Sequence, residues 1–453
     1  MKKLNKLVEW VFYLFLFLLP WQTRLIIKEG FLNSGYWEWG TYSLYAVDIV
    51  FIVLLTLFCF EKLILKIFSI SFFYDQNKNK SQLIKIKNKC LIPGKMTFLI
   101  FLFVAFSFLS IFWAQDLNLA FYWWLRILQG AVLFILIQKI YFSSIKACWS
   151  LVFSGLIQIG LAGQQFVSQN VFSSKWLGVA VQNSFQVGTS VVETTEGRIL
   201  RLYGGFSHPN IFAGFLVFLI FILFSLYFSL KKFWQKGMVL FFSSLTTIIL
   251  YLTYSRAAWI ALLVNFVFLV IIVFKKAPIN FRTPFFEFFG LVLIVFAMFS
   301  CLTARDFIVR LETKGRLENI SINERIINFE RGAELVQKNF WRGIGLGNYT
   351  LALFNRHPYL SSWEYQPAAN VYLLIFTELG FVGLILFLMM SCFIFFRLGL
   401  TIYSPLFLSF LLLGFFDHWI FSLSFGILLF WLALGLLWKR CRAHELTGQE
   451  EFF

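Results

Sequence analysis

The chain contains 453 residues, of which 60% are hydrophobic and only 13% are charged. A soluble domain typically holds about 45–50% apolar and about 25% charged residues, so this composition excludes a soluble enzyme and indicates a polytopic membrane protein. The formal charge is +17. Its basic residues lie in short runs between apolar stretches rather than in one patch, so we interpret them as topology signals and expect no nucleic-acid partner.

Apolar stretches recur along the whole chain. A transmembrane helix needs about 20 such residues, and about twelve stretches meet this requirement. We therefore predict an all-α polytopic membrane protein with about twelve transmembrane helices in one membrane domain, residues 1–453. The approximate spans are 8–27, 43–60, 96–114, 121–138, 147–165, 209–230, 238–255, 257–274, 285–302, 371–396, 399–415 and 419–438.

Lysine and arginine residues collect in alternate connections, as is typical of cytoplasmic loops. These connections are residues 2–6, 62–95, 139–146, 231–236, 275–282, 397 and 439–442. The alternation predicts that both termini are cytoplasmic and that two long segments, about 166–206 and 303–369, are extracytoplasmic. The second segment is the loop between the ninth and tenth predicted spans.

Polar residues at the edges of apolar spans are costly, which makes them candidates for a site. On the predicted topology they gather near the outer face. They are His208, Asn210, Arg256, Asp417 and His418 at that face, with Asp48, Arg126 and Glu378 within about two helical turns of it. Their convergence favours a functional site. For each of the three deeper residues, pairing with a neighbouring helix is an equally good explanation.

The sixth predicted span starts with Ser207, His208, Pro209 and Asn210. Ser207 is suited to cap the helix and Pro209 to occupy its first turn, which would place His208 beside the positive end of the helix. Such an end attracts anions, and a phosphate would be stable there. The alternative is that this tetrapeptide only starts a helix at the membrane interface.

The long outer loop contains a capping-box sequence, Ser321-Ile322-Asn323-Glu324. It predicts a helix that starts here and packs on an apolar surface through a continuous stripe. The stripe is Ile322, Ile326, Phe329, Ala333, Val336 and Phe340. Arg325 would lie in the first turn, where a cation opposes the helix dipole and an anionic ligand would relieve the conflict. The alternative is a solvated arginine paired with a nearby glutamate, on the polar face that also carries Arg331.

The glycine-rich segment Trp341–Asn348 follows a helix rather than a strand, so we predict a tight loop and not a dinucleotide-binding motif. The six cysteines are scattered without the spacing of a metal site or of a disulfide framework. We therefore expect neither a metal nor a cofactor.

Several motifs in order resemble those of the O-antigen ligase and polymerase superfamily. They are Leu202–Asn210, Tyr254–Trp259, Asn323–Arg325, Gly343–Tyr349, and Asn370–Leu373 with Glu378–Gly383. The similarity covers residues from about 200 to 440 well and the earlier helices by layout only. Each motif is weak alone, but their order around one long outer loop is specific.

The resemblance implies a metal-independent glycosyltransferase of the membrane-embedded C-type class, at the outer face of the cytoplasmic membrane. Such a protein takes a glycan from an undecaprenyl-pyrophosphate carrier and passes it to a hydroxyl of a lipid, another glycan or a protein. Arg256 and Arg325 match arginines that contact the pyrophosphate in the family, and planar guanidinium groups suit phosphate oxygens. We expect further substrate contacts from these residues: Arg201, Asn210, Arg331, Asn370, Glu378, Asp417 and His418.

The sequence departs from the family at the proposed base for the acceptor hydroxyl. The matching segment reads Gln366-Pro367-Ala368-Ala369-Asn370, so Ala369 stands where the family has histidine. Three residues are available as a substitute base, namely His208, His357 and Glu364. Otherwise transfer proceeds without a base, or the protein is a catalytically silent relative.

A transporter or flippase of lipid-linked sugars is the alternative from a different class. Transporters bind their substrates near the membrane midplane and often have broken helices at matching positions in two repeats. Here the charged residues crowd the outer third of the predicted spans, which favours surface chemistry.

Overall fold

A computed structural model describes residues 2–73, 94–194, 197–312, 316–399 and 401–447. Helices account for most of these residues, because a helix satisfies its backbone hydrogen bonds internally in an apolar environment. In chain order the helices are α1 (Lys2–Leu18), α2 (Ala46–Phe73), α3 (Lys95–Leu109), α4 (Leu117–Lys139), α5 (Ser144–Ser168), α6 (Pro209–Ser229), α7 (Phe233–Leu252), α8 (Arg256–Lys276), α9 (Ile279–Leu302), α10 (Ala304–Glu312), α11 (Arg316–Lys338), α12 (Tyr349–Arg356), α13 (Val371–Leu398), α14 (Ser404–Gly414), α15 (Trp419–Ser422) and α16 (Ser424–Thr447). Short 3-10 helices cover Glu38–Gly40, Ser110–Trp113 and Ser362–Glu364.

Nine of the described helices are long and apolar enough to cross a membrane. They are α3 to α9, α13 and α16. The prediction of an all-α polytopic membrane protein is therefore confirmed, whereas the count of twelve is not. The predicted spans 8–27, 43–60 and 399–415 correspond to α1, α2 and α14, which are not among the nine. Most of the basic connection predicted at 62–95 lies outside the described residues.

The first predicted span, 8–27, is wrong at its C-terminal end. Helix α1 ends at Leu18, and Arg24–Lys28 forms strand β1, which pairs antiparallel with β4 (Tyr42–Tyr45). Pro20 disfavours a continued helix, and the β-branched residues after it suit a strand. Three further antiparallel pairs lie in the connections: β2 (Phe31–Leu32) with β3 (Gly35–Tyr36), β5 (Asn170–Val171) with β6 (Gln182–Asn183), and β7 (Val191–Thr194) with β8 (Gly197–Leu200).

Helix α6 lies at the centre of the bundle. Phe, Leu and Ile residues occur on all of its faces, and 89% of the residues in its apolar segment are buried. This burial is expected of a helix enclosed by other helices. It packs against α5, α7, α8 and α14. Its N-terminus lies beside two connections. Arg201, just before α6, donates a hydrogen bond to Thr253 in the α7–α8 connection, and Asn210 in the first turn of α6 donates one to Asp417 in the α14–α15 connection.

Helix α13 is interrupted at Gly380, which has a φ of 67°. The glycine-rich loop packs against this interruption. The backbone N–H groups of Ile344 and Gly345 donate to the carbonyls of Thr377 and Glu378 at 3.0 and 2.9 Å. A Cβ atom on Gly380 would lie 2.4 Å from the Trp341 carbonyl oxygen, so only glycine permits this approach. The tight loop predicted at Trp341–Asn348 is present.

The capping box predicted at Ser321–Glu324 is wrong. These four residues lie inside α11, which begins at Arg316 and continues to Lys338. Arg325 is therefore in the middle of a helix, and the argument from a first-turn cation does not apply. Of the predicted apolar stripe only Val336 is buried, whereas Ile326, Phe329 and Phe340 are exposed.

Candidate active site

Four arginines from separate parts of the chain lie close together. They are Arg201 before α6, Arg256 at the start of α8, Arg310 on α10 and Arg325 on α11, here called the arginine cluster. The charges of the other three lower the pKa of Arg310, after the larger effect of burial. The sequence predicted three of these residues. Arg310 was missed because it belongs to none of the recognised motifs.

Arg201 is a buried arginine that joins two connections. Its Nε donates to the carbonyl of Thr253 at 2.8 Å, and its Nη2 donates to Oδ1 of Asn210 at 2.7 Å. Burial lowers the pKa of Arg201 to about 10, and the charges of Arg256 and Arg325 act in the same direction. The positive charge of this side chain is therefore poorly compensated.

Glu318 lies between two arginines of the cluster. One carboxylate oxygen, Oε2, is 2.7 Å from Nη2 of Arg256, and the other contacts Arg310. Arg310 also donates from Nε to the carbonyl of Tyr254 at 2.9 Å. The side chains of Glu318 and Arg310 are only 9% and 11% exposed, so these ionic contacts are shielded from solvent.

Arg325 is exposed on α11 and has no ion pair or hydrogen bond among the described residues. Its charge nevertheless reaches Arg201, Arg310 and His208. Among the described side chains, two carboxylates accompany the arginine cluster, Glu318 and Asp417. Four guanidinium groups and two carboxylates leave an excess of two positive charges, which is the electrostatic signature of an anion site.

His208 is itself the N-cap of α6, so the prediction that Ser207 caps this helix is wrong. Nδ1 of His208 accepts from the backbone N–H of Asn210 at 3.1 Å, with Pro209 in the first turn. Nε2 lies 3.0 Å from Oγ of Ser190. Burial, followed by the charge of Arg201, lowers the pKa of His208 to about 3. The neutral ring therefore carries its proton on Nε2 and donates it to Ser190, so neither nitrogen keeps a free lone pair.

Asp417 and His418 lie in the turn before α15, next to the start of α6. Asn210 connects them to the arginine cluster, since it donates from Nδ2 to Asp417 at 3.3 Å and accepts from Arg201. Asp417 also accepts from the backbone N–H of His418 at 2.8 Å. The structure thus brings together these predicted site residues: Arg201, His208, Asn210, Arg256, Arg325, Asp417 and His418.

His357 and Glu364 have other partners. Nε2 of His357 is 3.9 Å from Glu334, and Nδ1 is 3.1 Å from the hydroxyl of Tyr359. Glu364 accepts from the backbone N–H of Ser361 at 2.9 Å in a local capping box. The charges that shift the pKa values of Arg201 and Arg310 come from other residues.

Three of the predicted substrate-binding residues have local interactions, and their contacts with a substrate stay predictions. Asn370 caps α13 and donates to the carbonyl of Phe415 at 3.1 Å. Glu378 is buried and accepts from the backbone N–H of Tyr349 at 3.4 Å, beside the glycine-rich loop. Burial raises the pKa of Tyr349, and the charge of nearby Arg331 has a smaller, opposite effect. Asn370 and Glu378 thus stabilise the connections at the start of α13 and at the glycine-rich loop.

Asp48 and Arg126 form a buried ion pair with each other at 2.6 Å. Gln129 donates to the second oxygen of Asp48 at 2.9 Å, and the hydroxyl of Tyr122 accepts from Arg126 at 3.1 Å. Both charges are therefore satisfied within the bundle. The sequence left open whether these residues belong to a functional site or pair with a neighbouring helix, and the structure shows such a pair.

An aromatic cavity lies between the glycine-rich loop and the turn that carries His418. Its lining includes Trp39, Trp123, Gly347, Pro367 and Ser422. The ring of Trp39 lies edge-on to that of His418, with centroids 5.2 Å apart. Flat indole faces of this kind pack well against sugar rings. The sequence could not select these two tryptophans from the sixteen in the chain.

The described residues contain no group of three or more His, Cys, Asp or Glu side chains that is placed to hold a metal ion. Metal independence of the reaction stays a prediction.

Comparison with known proteins identifies one family. No curated protein matches the chain, but a family model of O-antigen ligase matches residues 238–388. This segment includes Arg256, Arg310 and Arg325 and the glycine-rich loop, whereas Arg201 and the turn with His418 lie outside it. The match confirms the resemblance for the motifs that lie within this segment: residues 238–388 are similar to O-antigen ligase.

Proposed function

We propose that the protein transfers a glycan from an undecaprenyl-pyrophosphate-linked donor to an acceptor hydroxyl at the outer face of the cytoplasmic membrane. The acceptor belongs to a lipid, a glycan or a protein, and the mode of action resembles that of an O-antigen ligase or polymerase. Both termini lie in the cytoplasm, and the loop 303–369 is extracytoplasmic. Neither a metal nor a cofactor takes part.

The charge of the arginine cluster is the observation that carries this proposal. The cluster has an excess of two positive charges among the described side chains, with Arg325 free of any partner there. A pyrophosphate diester carries two negative charges at neutral pH. Its oxygens can accept several charge-assisted hydrogen bonds from planar guanidinium groups.

The helix directions add to this attraction. Helix α8 begins at Arg256 and α6 begins after His208, and both starts adjoin the cluster. The N-terminus of a helix carries a partial positive charge and free N–H groups. When the sugar leaves its carrier, negative charge increases on the pyrophosphate oxygen. Positive groups fixed at this position lower the energy of that transition state.

A flippase is the rival function. A transporter would hold its substrate near the middle of the membrane. The buried ionic group deeper in the bundle, Asp48 with Arg126, is already paired internally. The unpaired positive charge lies at the helix ends, so transfer at the membrane surface is the better explanation. A silent relative would keep the arginines without the acceptor chemistry.

A deletion strain separates these functions. Loss of a transferase leaves complete lipid-linked glycan exposed on the outer leaflet and removes the finished surface glycan. Loss of a flippase leaves the same lipid-linked glycan on the cytoplasmic leaflet. Loss of a silent relative leaves finished glycan and its carrier-linked precursor unchanged. Restoration of the chain from a plasmid is the control, and lipid-linked glycan trapped on the cytoplasmic leaflet would refute the proposal.

A further inference from the structure

The replacement of the family histidine by Ala369 leaves the acceptor hydroxyl without an obvious base. Of the residues suggested by the sequence, His357 and Glu364 have other partners, and both nitrogens of His208 are used in its N-cap and in its contact with Ser190. A base needs a free lone pair within reach of the hydroxyl that it deprotonates. His208 lacks a free lone pair, and no contact between the arginine cluster and His357 or Glu364 occurs among the described residues.

The hydrogen bonds of His418 leave one ring nitrogen free. Nδ1 of His418 is 2.6 Å from Oγ of Ser422, and that hydroxyl donates its own hydrogen to the backbone carbonyl of His418 at 3.0 Å. The hydroxyl has one hydrogen, and when that hydrogen is on the carbonyl, Oγ accepts from Nδ1–H and the neutral ring keeps its lone pair on Nε2. No partner of Nε2 occurs among the described residues, and the side chain is partly exposed.

His418 also lies next to the segment where the family histidine is missing. The amide of Asn370 donates to the carbonyl of Phe415, and the rings of Tyr372 and Phe415 are 4.5 Å apart. The segment containing Ala369 is thus packed on the turn that carries His418. The two positions therefore belong to two connections that contact each other.

The aromatic cavity reaches the same region. Pro367, two residues before Ala369, and Ser422, the partner of His418, both line it. Trp123 lines it as well, and the buried indole N–H of Trp123 has no hydrogen-bond partner among the described residues. A hydroxyl group of a sugar would supply an oxygen for this donor.

We propose that His418 is the general base of the transfer reaction and that the acceptor sugar binds beside it, with one hydroxyl group directed into the aromatic cavity. This inference rests on the proposed function. Nε2 takes the proton of the acceptor hydroxyl while the acceptor oxygen forms a bond to the anomeric carbon of the donor. The bond from that carbon to the pyrophosphate oxygen breaks, and its electron pair stays on the pyrophosphate beside the arginine cluster. The proton then passes from Nε2 to solvent or to the released pyrophosphate.

The test compares purified variants in liposomes that contain a lipid-pyrophosphate-linked glycan and a soluble sugar acceptor. His418→Gln keeps a polar side chain but removes the base, so turnover falls by about 100-fold or more. Binding of the donor stays within about twofold of the wild type. Ala369→His in the same chain supplies an imidazole from the other connection and raises turnover at least about tenfold above His418→Gln alone. His357→Gln is the matched control and keeps wild-type turnover.

Three results would overturn the assignment. Turnover of His418→Gln within about threefold of the wild type would exclude a base at this position. An equal loss of donor binding and turnover would assign His418 to the structure of the site. A double variant no more active than His418→Gln would contradict the shared position. Failure of the proposed function differs from all three, because the wild type itself would then show no transfer in this assay.

Discussion

Glu318 holds the arginine cluster in the absence of a ligand, which leads to a prediction about anion affinity. Its carboxylate contacts both Arg256 and Arg310. An incoming pyrophosphate that binds Arg256 must compete with this carboxylate for the same N–H groups. We expect Glu318→Gln to bind inorganic pyrophosphate more tightly than the wild type, because the neutral amide competes weakly for guanidinium donors.

The size of this effect follows from the geometry. Hydrogen bonds to charged groups contribute about 1.5–3 kcal/mol. Oε2 of Glu318 lies 2.7 Å from Arg256 but has no aligned hydrogen bond, so the lower end of this range applies. About 1.5 kcal/mol corresponds to a Kd about tenfold lower. Without an anion the same variant should be less stable than the wild type, since Arg310 is largely buried and loses its counter-ion.

The assay is calorimetric titration of inorganic pyrophosphate into the protein in detergent, together with the midpoint of thermal unfolding at several pyrophosphate concentrations. Pyrophosphate should raise the midpoint more for Glu318→Gln than for the wild type, as mass action requires of a tighter ligand. Glu330→Gln is the matched control, because Glu330 is an exposed residue of the same helix. Unchanged or weaker pyrophosphate binding by Glu318→Gln would show that the carboxylate positions the arginines rather than competing with the ligand.

Further predictions concern the fold and the topology. Asp48→Asn should lower the free energy of unfolding by about 3–5 kcal/mol, because it leaves Arg126 buried without a counter-ion, and a thermal-unfolding midpoint equal to that of the wild type would contradict this. Gly380→Ala should also destabilise the protein, since its Cβ would lie 2.4 Å from a backbone oxygen; the same measurement applies, and no loss of stability would argue against the packing of the glycine-rich loop. Reporter fusions should score cytoplasmic after Lys236 and extracytoplasmic near Glu318, and the reverse result would place the arginine cluster on the wrong face for an external donor.

The sequence predicted the membrane helices well where apolar composition alone decides the structure. Helices α6, α8 and α13 begin within one residue of their predicted starts, because His208-Pro209, Ser255-Arg256 and Asn370 interrupt the apolar runs there. It failed where two local signals competed. The apolar run after Pro20 looked like helix and forms a strand, and the capping-box pattern at Ser321 occurs inside a helix that starts five residues earlier.

The sequence predicted the site residues that lie in local motifs and missed those that become neighbours only in the folded protein. Arg256 and Arg325 lie in motifs, whereas Arg310 and Glu318 become neighbours only when α10 and α11 pack beside the α7–α8 connection. No local pattern encodes such a contact. The tautomer of His418 likewise depends on how the hydroxyl of Ser422 is used, one helical turn away. A sequence contains both residues but does not state the direction of a hydrogen bond.

The most direct test of the central claim is the rate of transfer by arginine variants in liposomes containing a lipid-pyrophosphate-linked glycan and an acceptor. Arg256→Ala and Arg325→Ala should each lower the rate by at least about 100-fold, or about 3 kcal/mol, because each removes a charge-assisted contact that strengthens in the transition state. Lysine at either position should restore little activity, since it lacks the planar pair of donors. Near-normal transfer by both alanine variants, at equal amounts of inserted protein, would contradict the claim that the arginine cluster binds the pyrophosphate during transfer.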